Sequence, residues 1–177
     1  MKKILIPFGA ILLAFVLLLG ANVVLKNKAQ EIAVSEHNRI LRTILPGSTT
    51  FTLEAYTGDD TSILSVHKGE TGFVVETLVQ GYAAPITMMT GVTNEGKVTG
   101  LVINTMHETH TLGLEALTDH VFLAQLLNTS GEAAVGENVD ALTGATVTSK
   151  AVVKSVNSAV AYVTGADVSS AATSWGG

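Results

Sequence analysis

Residues 140–149, Asp140-Ala141-Leu142-Thr143-Gly144-Ala145-Thr146-Val147-Thr148-Ser149, gather four hydroxyl side chains and a Gly-Ala pair directly ahead of an apolar helical pattern. A threonine hydroxyl is a weak nucleophile at neutral pH, and nothing nearby in sequence supplies an obvious base, so any transfer to it needs an outside activator. The N-terminus of a helix presents unpaired N–H groups and a partial positive charge, which suits a phosphate. Gly144 and Ala145 project no bulk and would let that backbone come close. The same residue types also make an ordinary helix cap, in which Thr and Ser oxygens accept from the helix's own amides and bind nothing further. Spacing alone leaves both readings open.

The histidines offer a different chemistry. His107 and His110 flank Glu108, and His120 follows. A His-Glu-x-x-His zinc motif puts both histidines on one helix face; here the second comes one residue early, on a loop, so no metal centre is expected. With no cysteine the chain holds no disulfide, thiolate-bound iron–sulfur cluster, c-type haem or lipoprotein anchor. A redox role therefore requires a cofactor held another way. No Gly-x-Gly-x-x-Gly follows a strand pattern, so a hydride donor should react elsewhere, and no catalytic residue is assigned.

The elements that must position these residues are legible as changes of period. Phe51 to Tyr56, Ser62 to Lys68 and Phe73 to Tyr82 alternate, with turn chemistry at Gly58-Asp59-Asp60 and Gly69-Glu70-Thr71-Gly72. Ile86 to Thr93 and Lys97 to Thr105 flank Asn94-Glu95-Gly96, a hairpin signal. Strands joined by short turns predict an antiparallel sheet. Two helical patterns follow: Thr118 to Leu127, with Val121, Phe122, Ala124, Gln125 and Leu126 on repeated turns, and Ser149 to Thr164, with Val152, Val153, Val156, Ala159, Val160 and Val163 on one stripe. The expected class is α+β.

Only 14% of the residues are charged, and the excess apolar weight lies at the N-terminus. Ile4 to Leu25 carries no charge and at 1.5 Å per residue measures about 33 Å, enough for one membrane span. It is too long for a signal-peptide core and no Ala-x-Ala follows it, so an uncleaved anchor is expected; flanking basic residues do not decide its orientation. Two of the ten basic residues, Lys2 and Lys3, precede this run, and all fifteen acidic residues follow it. So acidic a domain is unsuited to nucleic acid. The expected layout is an anchor over 1–25, a juxtamembrane helix over 26–47, one domain over 48–164 and a flexible tail over 165–177.

Asp140-x-x-Thr143-Gly144-Ala145-Thr146-x-Thr148-Ser149 resembles the flavinylation motif of the FMN-binding domain family, in which FMN is esterified through its phosphate to a threonine. The resemblance implies covalent FMN on Thr146, with Asp140, Thr143, Gly144, Ala145 and Thr148 around the cofactor, and a flavin transferase that takes FMN from FAD. A helix dipole stabilises a phosphodiester by only about 0.3–1 kcal/mol. That is too little to retain free FMN against an acidic surface, whereas a tether maintains it at high effective concentration.

A second segment agrees. Gly81-Tyr82, Pro85-Ile86, the Lys97-to-Val102 strand and Met106-His107-Glu108-Thr109-His110-Thr111-Leu112-Gly113 resemble, in order, segments of the G-type flavoprotein family of Rnf electron-transport complexes, with His110-Thr111 where that family usually has Pro-Gly. This implies flavin contact by Glu108, Thr109, Leu112 and Gly113. The related C-type flavoproteins of sodium-pumping NADH:quinone oxidoreductases share the threonine motif but are substantially longer. The resemblance implies a single-pass subunit of the inner (plasma) membrane, its FMN domain extracytoplasmic, relaying electrons between neighbouring subunits of an ion-translocating complex. Two other classes fit the residues less fully: a stand-alone membrane-tethered flavin reductase, and a structural single-span subunit without flavin.

Overall fold

The computed structural model describes residues 25–26, 28–105 and 117–166. The chain divides into two units, Met1–Ile40 and Leu41–Gly177. Helix α1 occupies residues 28–44. In the first unit its side chains are mostly exposed, Ile32 and Val34 among them. The apolar run expected to span the membrane lies, but for Leu25, outside the described residues, as do the Glu108–Gly113 loop and the tail beyond Ala166. Among the described residues no helix is long and apolar enough to cross a membrane.

The second unit is an antiparallel meander. Strands β1 (Thr52–Glu54), β2 (Ile63–Lys68), β3 (Gly72–Gln80), β4 (Pro85–Thr93) and β5 (Val98–Thr105) lie in the sheet in chain order. Each expected alternating segment is a strand, with ends moved by a few residues, and the α+β expectation is met. Because directly opposed residues point to the same side, Phe73, Val75, Thr77 and Val79 share a face with their β4 partners Val92, Thr90, Met88 and Ile86. That face packs on the long helix near the C-terminus, α3 (Thr146–Thr164), where Val152, Val156, Ala159 and Val160 join Val66, Val75, Met88 and Val98 in one core.

Polar pairs cross this layer. Thr77 Oγ1 and Ser155 Oγ are hydrogen-bonded to each other, and Ser62 Oγ donates to Ser158 Oγ at 3.3 Å. Burial of such hydroxyls is tolerable because they find partners.

The opposite face receives the last turn of α1, with Leu41, Ile44 and Leu45 each 1% exposed. Gly91 and Gly100 are cross-strand partners, and a Cβ on either would fall 2.5 or 2.8 Å from the Ile44 carbonyl oxygen. Only residues without a side chain admit the helix backbone there. The segment that follows is tied to the β2–β3 turn: Ser48 Oγ accepts from Thr71 N at 3.0 Å, and the Glu70 carboxylate accepts from the N–H and O–H groups of both Thr49 and Thr50.

Two helical expectations are corrected. The helix expected over Thr118–Leu127 is α2, His120–Ala124, capped by Asp119, whose side chain accepts from Phe122 N at 2.7 Å. After it, Gln125, Leu126 and Leu127 donate to carbonyls only three residues back, and Asn128 at φ 64° turns the chain so that its N–H reaches Val98 O. Phe122 and Leu126 are buried as the stripe requires, but Val121 is 77% exposed. The second correction is that α3 starts at Thr146, three residues earlier than its apolar stripe suggests, so part of the hydroxyl-rich stretch is helix rather than loop.

Candidate functional site

The approach to α3 is a chain of short turns. Val139, 2% exposed, closes a small loop in which Gly136 N donates to Val139 O, and the Asn138 side chain joins Ala134 N to Glu132 O. Asp140 is then held from α2: its N–H donates to Gln125 Oε1 at 2.8 Å, and Gln125 Nε2 donates to its carbonyl at 3.4 Å. Next comes a four-residue turn closed by Ala145 N to Leu142 O at 2.9 Å, with Gly144 at φ 80°. That dihedral favours glycine, which explains why the turn carries it.

The structure separates the expected site residues by exposure. Asp140, Thr143, Gly144 and Thr146 are exposed, whereas Ala145, Thr148 and Ser149 are buried. Thr146 is the first residue of α3, and its N-cap is Ala145, which has no side chain able to bond the helix amides. No side chain among the described residues caps this helix. Thr148 and Ser149 thus lie within the first turn of α3 and do not cap it. Ser149 Oγ donates to Ala145 O at 3.0 Å and accepts from Leu142 N at 3.4 Å, fastening the preceding turn to the helix instead of its own amides. Thr148 Oγ1 is fully buried and has no hydrogen-bond partner among the described residues. An uncapped helix N-terminus keeps its orphan donors and its partial positive charge available to an anion.

Glu108, Thr109, Leu112 and Gly113 lie outside the described residues. Of the histidines discussed above, His120 opens α2. A surface cavity lined by Tyr56, Asp59, Asp60, Ser158 and Tyr162 lies toward the other end of α3, about 18 Å along the helix from Thr146 at 1.5 Å per residue, and is separate from this site. Sequence reasoning missed Gln125 and the bridging part of Ser149. The one signal for Gln125 was a polar residue in an otherwise apolar stripe.

The turn exposes Thr143 and Thr146 on either side of the Gly-Ala pair and leads into a helix with no side-chain cap. Residues 81–161 match the FMN-binding domain family. The chain is 37% identical over 99 residues, 52% of its length, to the G component of the proton-translocating ferredoxin:NAD(+) oxidoreductase complex of Clostridium ljungdahlii, with 53% of that relative covered. It is 34% identical over 98 residues to the G component of the Na(+)-translocating ferredoxin:NAD(+) oxidoreductase complex of Acetobacterium woodii, covering 50% of this chain and 47% of the relative. The family resemblance read from the motif is thus borne out. The chain spans about half the length of the relatives it matches.

Proposed function

We propose that this chain is the flavin-carrying, electron-relaying subunit of a membrane-bound, ion-translocating complex of the Rnf type, with FMN joined through its phosphate to Thr146. The observation that carries this reading is the placement of Thr146: exposed, at the first position of a helix whose N-terminus no described side chain caps. Matches to the G components of two translocating ferredoxin:NAD(+) oxidoreductases support the electron-relay role, and the uncharged Ile4–Leu25 run supports a single-span anchor.

The residues present fit the cofactor's linkage. The α3 amides favour a phosphodiester, and Gly144 and Ala145 leave its approach open. No side chain among the described residues hydrogen-bonds Thr146 Oγ1, and this reading assigns activation of that weakly nucleophilic hydroxyl to the transferase. In the transfer the oxygen of Thr146 attacks the FMN-side phosphorus of FAD, the pyrophosphate bond breaks, AMP leaves, and the hydroxyl proton passes to a base of the transferase. Once bound, FMN supplies electron storage and relay. The domain layout, with an anchor before residue 26, and flavin contact by Glu108, Thr109, Leu112 and Gly113 belong to this same proposal.

The test is co-expression with a flavin transferase. The parent should carry in-gel flavin fluorescence and the mass of one FMN less one water. Thr146→Ala should lose both while folded, and Thr146→Ser should retain part. FMN mapped to Thr143 or Thr148, or undiminished fluorescence in Thr146→Ala, overturns the assignment. The complex is tested by purification in mild detergent, where other redox subunits should accompany the parent.

A further inference from the structure

We infer that Gln125 is a positioning residue for the attachment reaction: its side-chain amide holds the first residue of the attachment motif in the register that a modifying enzyme reads. This rests on the reading of Thr146 above. The downstream part of the motif is fastened to α3 itself, through Ser149 Oγ to Leu142 N and Ala145 O and through the turn bond from Ala145 N to Leu142 O. The motif's own first residue, Asp140, is fastened elsewhere. Gln125 meets it as a two-point amide clamp, Oε1 accepting from its N–H at 2.8 Å and Nε2 donating to its carbonyl at 3.4 Å.

The clamp comes from a firm base. Gln125 is the C-cap of α2, flanked by Phe122 at 2% exposure and Leu126 at 0%, and its backbone N–H is bonded to Phe122 O at 3.2 Å. Both clamp bonds go to main-chain groups of Asp140, which leaves the exposed Asp140 carboxylate free of the clamp and, with Thr143, Gly144 and Thr146, on the accessible side of the loop. An enzyme that binds this face must meet one loop conformation. A loop already ordered by the substrate spares it the entropy of ordering, as preorganisation does in binding generally.

The prediction is a loss of labelling without a loss of folding. Gln125→Met preserves the length of the side chain and removes both hydrogen bonds; Gln125→Glu retains the oxygen that accepts from Asp140 N–H. The full chain, purified in detergent, is incubated with a flavin transferase and FAD, and initial rates of FMN incorporation are read against protein concentration. Gln125→Met should lower the specificity constant about tenfold, mainly by raising KM, with the thermal midpoint unchanged and with faster hydrogen exchange at the Asp140 amide. A tenfold loss corresponds to about 1.4 kcal/mol. Gln125→Glu should recover part of the rate. Parental rates in Gln125→Met overturn the inference, and so does a lowered rate that follows a lowered thermal midpoint and is not improved in Gln125→Glu. Labelling of Thr146→Ala at the parental rate would instead remove the reading on which the inference rests, while leaving its own signature, the Gln125→Met rate, separately measured.

Discussion

Thr99 Oγ1 donates a hydrogen bond of 2.7 Å to the carbonyl oxygen of Ile44, so the last turn of α1 is bonded to the sheet through its own backbone. The glycine pair Gly91 and Gly100 makes the room for that contact. Gly91→Ala would place a Cβ 2.5 Å from Ile44 O, against backbone that cannot swing away. It should destabilise by about 1–3 kcal/mol, as overpacking does. Thr99→Val should cost about 0.5–1.5 kcal/mol for the lost bond. Urea unfolding of the purified protein measures both.

Phe122 anchors α2 beneath the site and is 2% exposed. Phe122→Ala should cost about 3–5 kcal/mol by opening a cavity. Since Gln125 sits on the turn that Phe122 secures, the same variant should lose FMN labelling at temperatures where it is still folded, which in-gel fluorescence against a thermal melt would reveal.

The Thr77–Ser155 pair is buried between sheet and helix, with Thr77 Oγ1 also donating to Met88 O at 3.3 Å. Thr77→Val leaves Ser155 Oγ without this partner, at about 1–3 kcal/mol, whereas Ser155→Ala leaves Thr77 Oγ1 its bond to Met88 O and should cost less. Thr77→Val and Ser155→Ala together should cost less than the sum of the single changes, and a double-mutant cycle by denaturation reads the difference.

Glu70 gives the domain an acid-sensitive fastening. Its carboxyl is held at about 2, below its ordinary value of 4.5, first by its own backbone N–H and then by the hydroxyls of Thr49 and Thr50 and the Thr49 amide. A depressed carboxylate contributes stability above its unfolded value and loses it as the pH falls through the folded one. The contribution should therefore be complete above about pH 4.5 and fade toward pH 2. Glu70→Gln should flatten the stability profile in that window and leave the profile above pH 5 nearly parallel to the parent's, as monitored by unfolding midpoints across pH.

The sheet was legible because β2 and β3 lie in alternating segments, β4 and β5 in apolar β-branched runs, and Gly, Asp or Asn marks the turns between them, so the signal is local. Asn94-Glu95-Gly96 forms the expected tight turn, with Gly96 at φ 83° and its N–H bonded to Thr93 O. The start of α3 was not legible, because Thr146-Val147-Thr148 has poor helix propensity and becomes helical through burial of Thr148 and Ser149 against the rest of the domain. Polar contacts between distant parts of the chain, such as Thr77 with Ser155 or Gln125 with Asp140, leave no periodic trace. The threonine motif was readable as a sequence, but the clamp that holds it depends on the place where a five-residue helix ends.

Strand order equal to chain order also separates the local from the non-local parts of the fold. Every pairing from β1 to β5 joins neighbours in sequence, so the sheet can form from local hairpins with little loop-closure cost. The contacts that fix α3, by contrast, link Thr77 with Ser155 and Ser62 with Ser158 across long stretches of chain. Docking of α3 is thus the non-local step of the fold, and in the docked state Thr146 stands at an ordered helix start. Under the attachment proposed above, the site would be complete only once that docking is made, and a transferase that reads its shape would act on folded domains in preference to nascent ones.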